Sequence, residues 1–177
     1  MTESIRTLHT SQLTPAELAG IRALLDEAFD HDFSDEDFDH GLGGLHTLIQ
    51  GPTGRLVAHG SVIMRRVAHG ERSYRIGYVE NLAVRADRRR QGLGGRVMAE
   101  LERVIDSSYA FGALSASDEG AALYRSRGWR LWRGRIEGLG PGGVVRFPQE
   151  EDSTFVWGAA PEASRALAFD WREGDVL

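Results

Sequence analysis

The chain has 177 residues, of which 41% are hydrophobic and 27% are charged, and its formal net charge at pH 7 is −5. This length and composition predict one globular domain over residues 1–177 and exclude a disordered or fibrous protein. The lack of cysteine excludes disulfides, thiolate metal ligands and a cysteine-bound acyl intermediate, and the acidic charge argues against nucleic acid as a partner.

The first half of the chain predicts two helices framed by strands. After a short strand comes Thr14-Pro15-Ala16-Glu17, a capping box with proline at the first helical position. A second capping signal, Ser34-Asp35-Glu36-Asp37, opens a short helix that glycines end. Turn residues then separate three consecutive strands. The three strands are expected over residues 45–50, 56–67 and 73–84, the short first strand over residues 5–10, and the first helix ends near residue 29.

The second half alternates helices and strands. A long amphipathic helix over residues 92–107 follows the preceding strand directly, and a second helix over residues 118–127 ends at Gly128. Residues 138–143 are rich in glycine and are expected to form a loop. Strands are expected over residues 111–115, 129–132, 154–157 and 167–169. This order predicts an α/β (α+β) fold, in which helices cover both faces of a mixed sheet.

Residues 84–95, Val-Arg-Ala-Asp-Arg-Arg-Arg-Gln-Gly-Leu-Gly-Gly, lie between a predicted strand and a helix N-terminus. Glycines let the backbone approach a ligand, and unpaired N–H groups at a helix start attract an anion such as pyrophosphate. The alternative is a plain tight turn with basic surface residues. A Walker loop is excluded because Gly-Lys-Ser/Thr is absent, and a Rossmann loop is excluded because Val97 replaces its third glycine.

The pattern Arg89-x-x-Gly92-x-Gly94 after a strand ending at Val84 resembles the acetyl-CoA signature of the GNAT superfamily of N-acetyltransferases. The later segment from Ala122 to Trp129, Ala-Leu-Tyr-Arg-Ser-Arg-Gly-Trp, resembles a second motif of that superfamily. The resemblance implies a GNAT fold with a splayed pair of parallel strands and acetyl-CoA as the cofactor. Arg90 departs from the pattern, because many members carry glycine there.

The resemblance also implies which residues hold the cofactor. Backbone N–H groups of the loop would bind the pyrophosphate, and the end of the preceding strand would pair with the pantetheine arm. The pyrophosphate residues are Arg89, Arg90, Gln91, Gly92, Leu93, Gly94 and Gly95. The strand residues are Leu82, Ala83 and Val84.

Glu80 lies on an apolar face of its predicted strand, because Ile76, Tyr78 and Leu82 share its parity. An unpaired buried carboxylate is costly, so either a bulge turns Glu80 outward or the site needs a carboxylate of raised pKa. GNAT members characteristically carry a bulge at this point. A third interpretation is an edge glutamate with a solvated tip.

Direct attack of an amine on a bound thioester is the simplest route without a cysteine. A primary amine must lose a proton, and Glu80 acting through water is the candidate base; the departing thiolate benefits from an acid, for which Tyr124 is the candidate. Tyr124 is equally explained as a core tyrosine on periodicity alone, and the second GNAT motif favours the acid.

Further segments resemble the aminoglycoside 2'-N-acetyltransferases. They include Ala28-Phe29-x-x-Asp32-Phe33, Gly112-Ala113-Leu114-Ser115 and Asp170-Trp171-Arg172-x-Gly174-Asp175-Val176. The resemblance implies acceptor contacts from acidic groups that would pair with ammonium groups. The contacts are Asp32, Asp37, Glu80, Ser115, Asp175 and the carboxylate of Leu177, with an acid at Glu151 or its neighbour Glu150 aligned less securely.

Two of these assignments have structural alternatives. The acidic stretch around Asp32 and Asp37 also fits a solvated helix start that the helix dipole favours. The residues after Asp170 also fit a frayed tail, although we expect Trp171 to pack into the domain and anchor them. Leu177 departs from relatives that end in an aromatic residue.

The expected partner is a cationic aminoglycoside or another small amine, and a role in antibiotic resistance follows from the first. No run of about 18 apolar residues is present, so we expect a cytoplasmic protein without a membrane partner. A homodimer is also expected. The six histidines contain no pair at i and i+4, so no metal is expected. An acetyltransferase for another small amine or a peptide, and a non-catalytic acyl-CoA sensor, are the alternative functions.

Overall fold

The computed structural model describes residues 3–177, and the first two residues of the expected domain lie outside the described part. Four α-helices lie within it: α1 Pro15–Ala28, α2 Asp35–His40, α3 Leu93–Ser108 and α4 Asp118–Arg127. The ten strands are β1 Ser4–His9, β2 Leu45–Gln50, β3 Leu56–His69, β4 Arg72–Val84, β5 Gly112–Ser115, β6 Arg130–Leu131, β7 Ile136–Gly140, β8 Gly143–Arg146, β9 Thr154–Trp157 and β10 Leu167–Asp170. No helix in this part of the chain is long and apolar enough to cross a membrane.

The chain divides into two compact units. The first holds residues 3–63 and Val79–Arg103, and the second holds Met64–Tyr78 and Val104–Leu177. Strands β3 and β4 and helix α3 contribute residues to both.

In the first unit, β2 pairs antiparallel with β1 and with β3. Both predicted capping boxes form, because the Thr14 hydroxyl accepts from the N–H of Glu17 and the Ser34 hydroxyl accepts from the N–H of Asp37. Helix α1 packs its apolar stripe into a core that also includes a residue of β4. This core consists of Leu13, Ile21, Leu24, Leu25, Leu48 and Ala83.

The strands of the second unit follow the order β6-β9-β5-β4-β3-β10-β7-β8. Parallel pairs join β4 to β5, at Gly77 with Gly112 and Tyr78 with Ala113, and β10 to β7. The pairs β5 with β9, β6 with β9, β3 with β10 and β7 with β8 are antiparallel. The predicted mixed α/β architecture is therefore confirmed.

The expected loop over residues 138–143 is wrong, because most of it belongs to the hairpin of β7 and β8. Its glycines make room for aromatic rings: a Cβ at Gly138 would lie 2.7 Å from the ring of Phe147, and one at Gly140 would lie 3.1 Å from that of Trp171. The glycines of this segment, which are typical of a loop, are therefore explained by aromatic rings that pack against a strand. The parallel pairing of β7 with β10 shows that these residues form a strand.

Arg65 is the most deeply buried cation of the second unit, with 2% of its side chain exposed. Its Nε donates to Asp170 Oδ1 at 2.7 Å, its Nη2 donates to the Asp170 carbonyl at 2.6 Å, and its Nη1 donates to the Val176 carbonyl at 2.7 Å. The guanidinium also lies 4.9 Å from the ring centre of Tyr78 and 5.2 Å from that of Phe169. These contacts satisfy a charge that would otherwise be costly to bury.

We predict that Asp170→Ala lowers the free energy of unfolding by about 2–3 kcal/mol, less than a fully buried pair would lose because Asp170 is half exposed. The guanidinium of Arg65 would then remain buried without its carboxylate. Urea denaturation measures the change. Asp152→Ala, which removes an exposed carboxylate of the same unit, should stay within about 0.5 kcal/mol of the wild type. Equal losses in both variants would contradict the role assigned to Arg65.

Candidate active site

The glycine-rich loop of the first unit has the backbone geometry of an anion site. Gly92 and Arg90 adopt left-handed conformations, with φ of 77° and 60°, and α3 begins at Leu93. The first intrahelical bond runs from the N–H of Arg96 to the Gly92 carbonyl at 3.1 Å. The N–H groups of Leu93, Gly94 and Gly95 therefore precede any helical acceptor, and they provide donors with the positive end of the helix dipole.

This geometry explains both glycine and arginine in the loop. A Cβ at Gly92 would meet no atom within 4 Å, so its positive φ, and not crowding, is what requires glycine. Arg90 occupies the position at which many GNAT sequences carry glycine, and it adopts the left-handed conformation as an arginine. The loop therefore keeps the backbone form that a pyrophosphate needs, and the residues present fit acetyl-CoA.

The arginines in and beside the loop have different hydrogen-bond partners. Arg88 and Arg96 both donate to the carboxylate of Glu3. Arg89 and Arg90 are exposed, and Arg89 Nε donates to the Val84 carbonyl at 3.4 Å.

The strand segment that precedes the loop contains the predicted irregularity. Asn81 is left-handed in the middle of β4, with φ of 56°, and we call residues 80 and 81 the bulge. The Ser61 hydroxyl donates to the Glu80 carbonyl at 3.3 Å, and Asn81 Nδ2 donates to the Asp37 carbonyl at 3.2 Å. Glu80 itself is half-buried, and beyond the bulge Ala83 is the buried residue, whereas Leu82 and Val84 are half-buried.

A chain of hydrogen bonds that the sequence did not predict ends on this bulge. Thr10 Oγ1 lies 2.7 Å from His46 Nε2, His46 Nδ1 lies 3.0 Å from His59 Nε2, and His59 Nδ1 lies 3.0 Å from the Asn81 carbonyl. The available sequence signal was that His46 and His59 occupy positions that share one face of two adjacent strands.

Both histidines are held neutral at pH 7. Burial, followed by repulsion from the nearby His9, lowers the pKa of His46 to about 4. Burial, followed by repulsion from His46, lowers the pKa of His59 to about 3, against the opposing effect of the bond to Asn81. Among the described residues, no group of three or more histidine and acidic side chains is placed to bind a metal ion.

The two predicted acceptor acids of the first unit have different surroundings. Asp37 is half-buried, and its Oδ2 accepts from the N–H of Ser34 at 3.0 Å, so one oxygen serves the α2 capping box. Asp32 is exposed and follows two consecutive left-handed residues, Asp30 and His31, with φ of 53° and 63°. Asp32 is thus presented to solvent by a strained turn, and Asp37 is tied to the helix start.

The predicted residues of the second unit include Ser115 at the end of β5. Its hydroxyl donates to Glu150 Oε2 at 2.6 Å, and the Ser153 hydroxyl donates to the same oxygen at 2.7 Å. Glu151 does not share this cluster, because its two carboxylate oxygens accept from Arg146 at 2.8 and 3.0 Å. Glu150 is therefore the acid beside Ser115, the side chain of Glu151 pairs with Arg146, and contact of either acid with an acceptor stays a prediction.

Tyr124 is buried near the end of α4, with 7% of its surface exposed. Its ring centre lies 6.2 Å from those of Trp129 and Phe155. These contacts fit a core tyrosine, and they also fix the ring that would carry a catalytic hydroxyl.

The residues after Asp170 are not anchored as expected. Trp171 is 37% exposed and rests on Phe147, whereas Val176 and Leu177 are 5% and 8% exposed. The hydrogen bond from Arg65 to the Val176 carbonyl, and not Trp171, anchors the residues after Asp170. The segment is therefore ordered, and the carboxylate of Asp175 stays exposed beside it.

Comparison with known proteins bears on this geometry. Residues 9–132 match the acetyltransferase (GNAT) domain. An aminoglycoside 2'-N-acetyltransferase of Mycolicibacterium fortuitum is 42% identical over 177 residues, which cover 97% of this chain and 90% of the relative. The GNAT N-acetyltransferase YhbS of Escherichia coli, solved in complex with CoA, has a TM-score of 0.69 at 21% identity, with 98% and 91% of the two chains covered. Escherichia coli ElaA has a TM-score of 0.63 at 15% identity, with 89% and 100% covered.

The chain belongs to the GNAT family of acetyltransferases. It is accordingly an N-acetyltransferase, and the cofactor of the family is acetyl-CoA.

The neutral histidines make stability depend on pH in a defined direction. In the unfolded chain a histidine binds a proton below a pH of about 6.5, whereas His46 and His59 resist protonation down to about 4 and 3. The unfolded state therefore binds more protons in this window, and we predict that the free energy of unfolding decreases as the pH falls from 6.5 towards 4.

Chemical denaturation at several pH values tests this dependence against the double variant His46→Asn/His59→Asn. Each titrating histidine should add about 1.4 kcal/mol per pH unit to the slope in the middle of the window, so the variant should have the shallower slope. Identical slopes in both proteins would show that the histidines are not held neutral.

Proposed function

We propose that the protein transfers the acetyl group of acetyl-CoA to the 2'-amino group of an aminoglycoside. The observation that carries this proposal is the 42% identity to an aminoglycoside 2'-N-acetyltransferase over 97% of the chain. The exposed carboxylates of Asp32 and Asp175 and the Ser115–Glu150 cluster support it, because aminoglycosides carry several ammonium and hydroxyl groups.

The loop and the end of β4 are assigned to the cofactor. When bound, acetyl-CoA supplies an acetyl thioester. Backbone N–H groups in residues 89–95 would hold its pyrophosphate, with Gly92 and Arg90 in the left-handed conformations that turn the backbone. The backbone of Leu82, Ala83 and Val84 would bind the pantetheine arm.

Glu80 is assigned as the general base and Tyr124 as the general acid. Glu80 would take a proton from the acceptor ammonium through water, so that the amine nitrogen can form its bond to the acetyl carbon. Tyr124 would hold a proton for the sulfur as the carbon–sulfur bond breaks. The aromatic contacts of Tyr124 support this assignment because they restrict where its hydroxyl can lie.

The acceptor contacts are assigned to acidic and hydroxyl groups, which would pair with ammonium groups through charge-assisted hydrogen bonds. The assigned residues are Asp32, Asp37, Glu80, Ser115, Glu151 or its neighbour Glu150, Asp175 and Leu177.

The remaining assignments concern the setting of the enzyme. Acetylation converts an ammonium group into a neutral amide, which removes a charge from the drug and supports a role in aminoglycoside resistance. Residues 1–177 would act as one acetyltransferase domain, in the cytoplasm and as a homodimer. Exposed apolar residues on the β7–β8 hairpin support association with a second copy. They are Leu139, Val144 and Val145.

We predict that the purified protein adds one acetyl group to tobramycin and none to kanamycin A, which carries a hydroxyl at the 2' position. Mass spectrometry of the products measures both reactions. Equal acetylation of the two drugs would assign the reaction to a different amine, and acetylation only of unrelated amines or peptides would indicate another acceptor class. Binding of CoA without turnover on any amine would indicate a non-catalytic sensor.

Millimolar CoA should raise the melting temperature of the wild-type protein through mass action, and Gly92→Val should abolish the rise. Valine is strained at a φ of 77°, so the loop would lose the form that binds pyrophosphate. Gly54→Val is the matched control, because Gly54 has a φ of 79° and equally open surroundings in the β2–β3 turn. This control should melt earlier but keep its response to CoA. A full response to CoA in Gly92→Val would contradict the assignment of the loop to the cofactor site.

Glu80→Gln and Tyr124→Phe should each lower kcat by about 10²-fold or more, because positioned acid and base groups contribute on this scale. The CoA-induced rise in melting temperature should be unchanged in both variants, which shows that the cofactor still binds. Wild-type turnover in either variant would reduce that residue to a structural role.

A further inference from the structure

The orientation of the bulge depends on two carbonyls that β3 holds. The carbonyl of Glu80 accepts from the Ser61 hydroxyl at 3.3 Å, and the carbonyl of Asn81 accepts from His59 Nδ1 at 3.0 Å. His59 and Ser61 are two residues apart on one strand, so their side chains extend from the same face. The two peptide planes on either side of Asn81 Cα are thus both fixed.

Such support is needed because Asn81 is strained. A non-glycine residue at a φ of 56° is disfavoured by about 1–2 kcal/mol, and it persists where surrounding contacts determine it. Without the donor from His59, the peptide after Asn81 can rotate towards ordinary extended backbone. Because a return to extended backbone also takes φ of Asn81 to negative values, it rotates the peptide between Glu80 and Asn81 and so redirects Glu80.

The tautomer of His59 follows from its partners. A carbonyl oxygen only accepts, so Nδ1 of His59 must carry the hydrogen, and Nε2 of the neutral ring must accept from His46 Nδ1. His46 Nε2 then accepts from the Thr10 hydroxyl, and that hydroxyl in turn accepts from the N–H of Gly43 at 2.9 Å. Thr10 Oγ1 also lies 3.3 Å from the Gly44 carbonyl, but His46 Nε2 is nearer, at 2.7 Å, and as an acceptor it takes the single hydroxyl hydrogen. Each donor and acceptor in the hydrogen-bond chain therefore has one consistent assignment.

The hydrogen-bond chain is also buried, so solvent does not compete for its bonds. His46 and His59 are 1% and 0% exposed. In a buried chain an unsatisfied donor or acceptor is costly, so each ring fixes the tautomer of the next. The hydroxyl of Thr10 thereby determines the tautomer of His59, and with it the donor that reaches the bulge.

We infer that His59 is a positioning residue, whose Nδ1–H fixes the Asn81 carbonyl and thereby holds the carboxylate of Glu80 in the orientation that acetyl transfer needs. This inference rests on the proposed role of Glu80 as the base. His59 does not exchange a proton with the substrate. Its contribution is to select one backbone conformation of the bulge.

The kinetic test compares three variants. His59→Leu removes the donor and should lower kcat for tobramycin by about 10-fold or more, with little change in the KM for acetyl-CoA, because small displacements of a reacting group are costly. His59→Asn retains a donor near the Nδ1 position and should recover most of that loss. His69→Leu is the matched control, because His69 lies on the same strand and also bonds a carbonyl, that of Ala166 at 3.1 Å, but does not contact the bulge. It should retain wild-type kcat.

A double-mutant cycle separates positioning from general destabilisation. If His59 acts through Glu80, His59→Leu should lower kcat in the wild-type background but hardly at all in the Glu80→Gln background. Additive losses, or a wild-type kcat in His59→Leu, would overturn the inference and leave the proposed function intact. Wild-type kcat in Glu80→Gln would overturn the proposed base, and the role of His59 with it.

A spectroscopic measurement on the wild type does not depend on any variant folding. Long-range ¹⁵N–¹H spectra of the histidine rings near pH 7.5 should show His46 and His59 both neutral and both in the Nδ1–H tautomer. The two signals are assigned by their loss in His46→Asn and His59→Asn. An Nε2–H tautomer for His59 would leave the Asn81 carbonyl without this donor and would overturn the inference, whatever the activity of the enzyme.

Discussion

The left-handed backbone of Asn81 is the constraint around which much of the first unit is arranged. It costs about 1–2 kcal/mol, and it is opposed by three hydrogen bonds, each of which contributes about 1 kcal/mol. Two reach the bulge carbonyls from His59 and Ser61 of β3, and the third runs from the Asn81 side chain to helix α2. The bulge therefore links a strand hairpin, a buried histidine pair and the acidic helix start. Changes in any of these elements reach Glu80 through the same backbone.

The second unit depends on a different kind of constraint, a buried cation. Arg65 binds both the carboxylate and the carbonyl of Asp170, and it also binds the carbonyl of Val176. Burying a guanidinium is favourable only when nearly all of its donors have partners, so these contacts act together. The result is that a segment with the composition of a free tail is held in place, and Asp175 is presented from an ordered backbone.

The acidic residues of this chain divide into those that fold the protein and those that remain available to a ligand. Glu17 completes a capping box and Asp35 pairs with Arg22, whereas Asp37 commits one carboxylate oxygen to its capping box. The carboxylates of Asp32 and Asp175 are exposed. The bond between Glu150 and Ser115 illustrates a third case, in which a hydroxyl and a carboxylate orient each other at a strand end. Charge density along the sequence alone therefore overstates how many acids can bind an ammonium group.

The sequence by itself determined the features that depend on local chemistry. Capping boxes at Thr14 and Ser34 and the helical period of α3 are determined by neighbouring residues. The GNAT signature was recognisable in the same way, and a bulge at Glu80 was one of three interpretations of its place on the strand. The four helices and eight of the ten described strands lie near the positions that local patterns predict, and the two strands of the β7–β8 hairpin are the exceptions.

Only the tertiary structure decided the features that join distant residues. Whether Gly138 and Gly140 lie in a loop or in β7 depends on pairing with β10 and on two aromatic rings from elsewhere in the chain. Glu150 lies beside Ser115 whereas Glu151 pairs with Arg146, and the hydrogen-bond chain from Thr10 through His46 and His59 to Asn81 crosses four segments. Hydrogen bonds and ring contacts of this kind act over a few ångströms in space, whatever the separation along the sequence, so local patterns do not contain them.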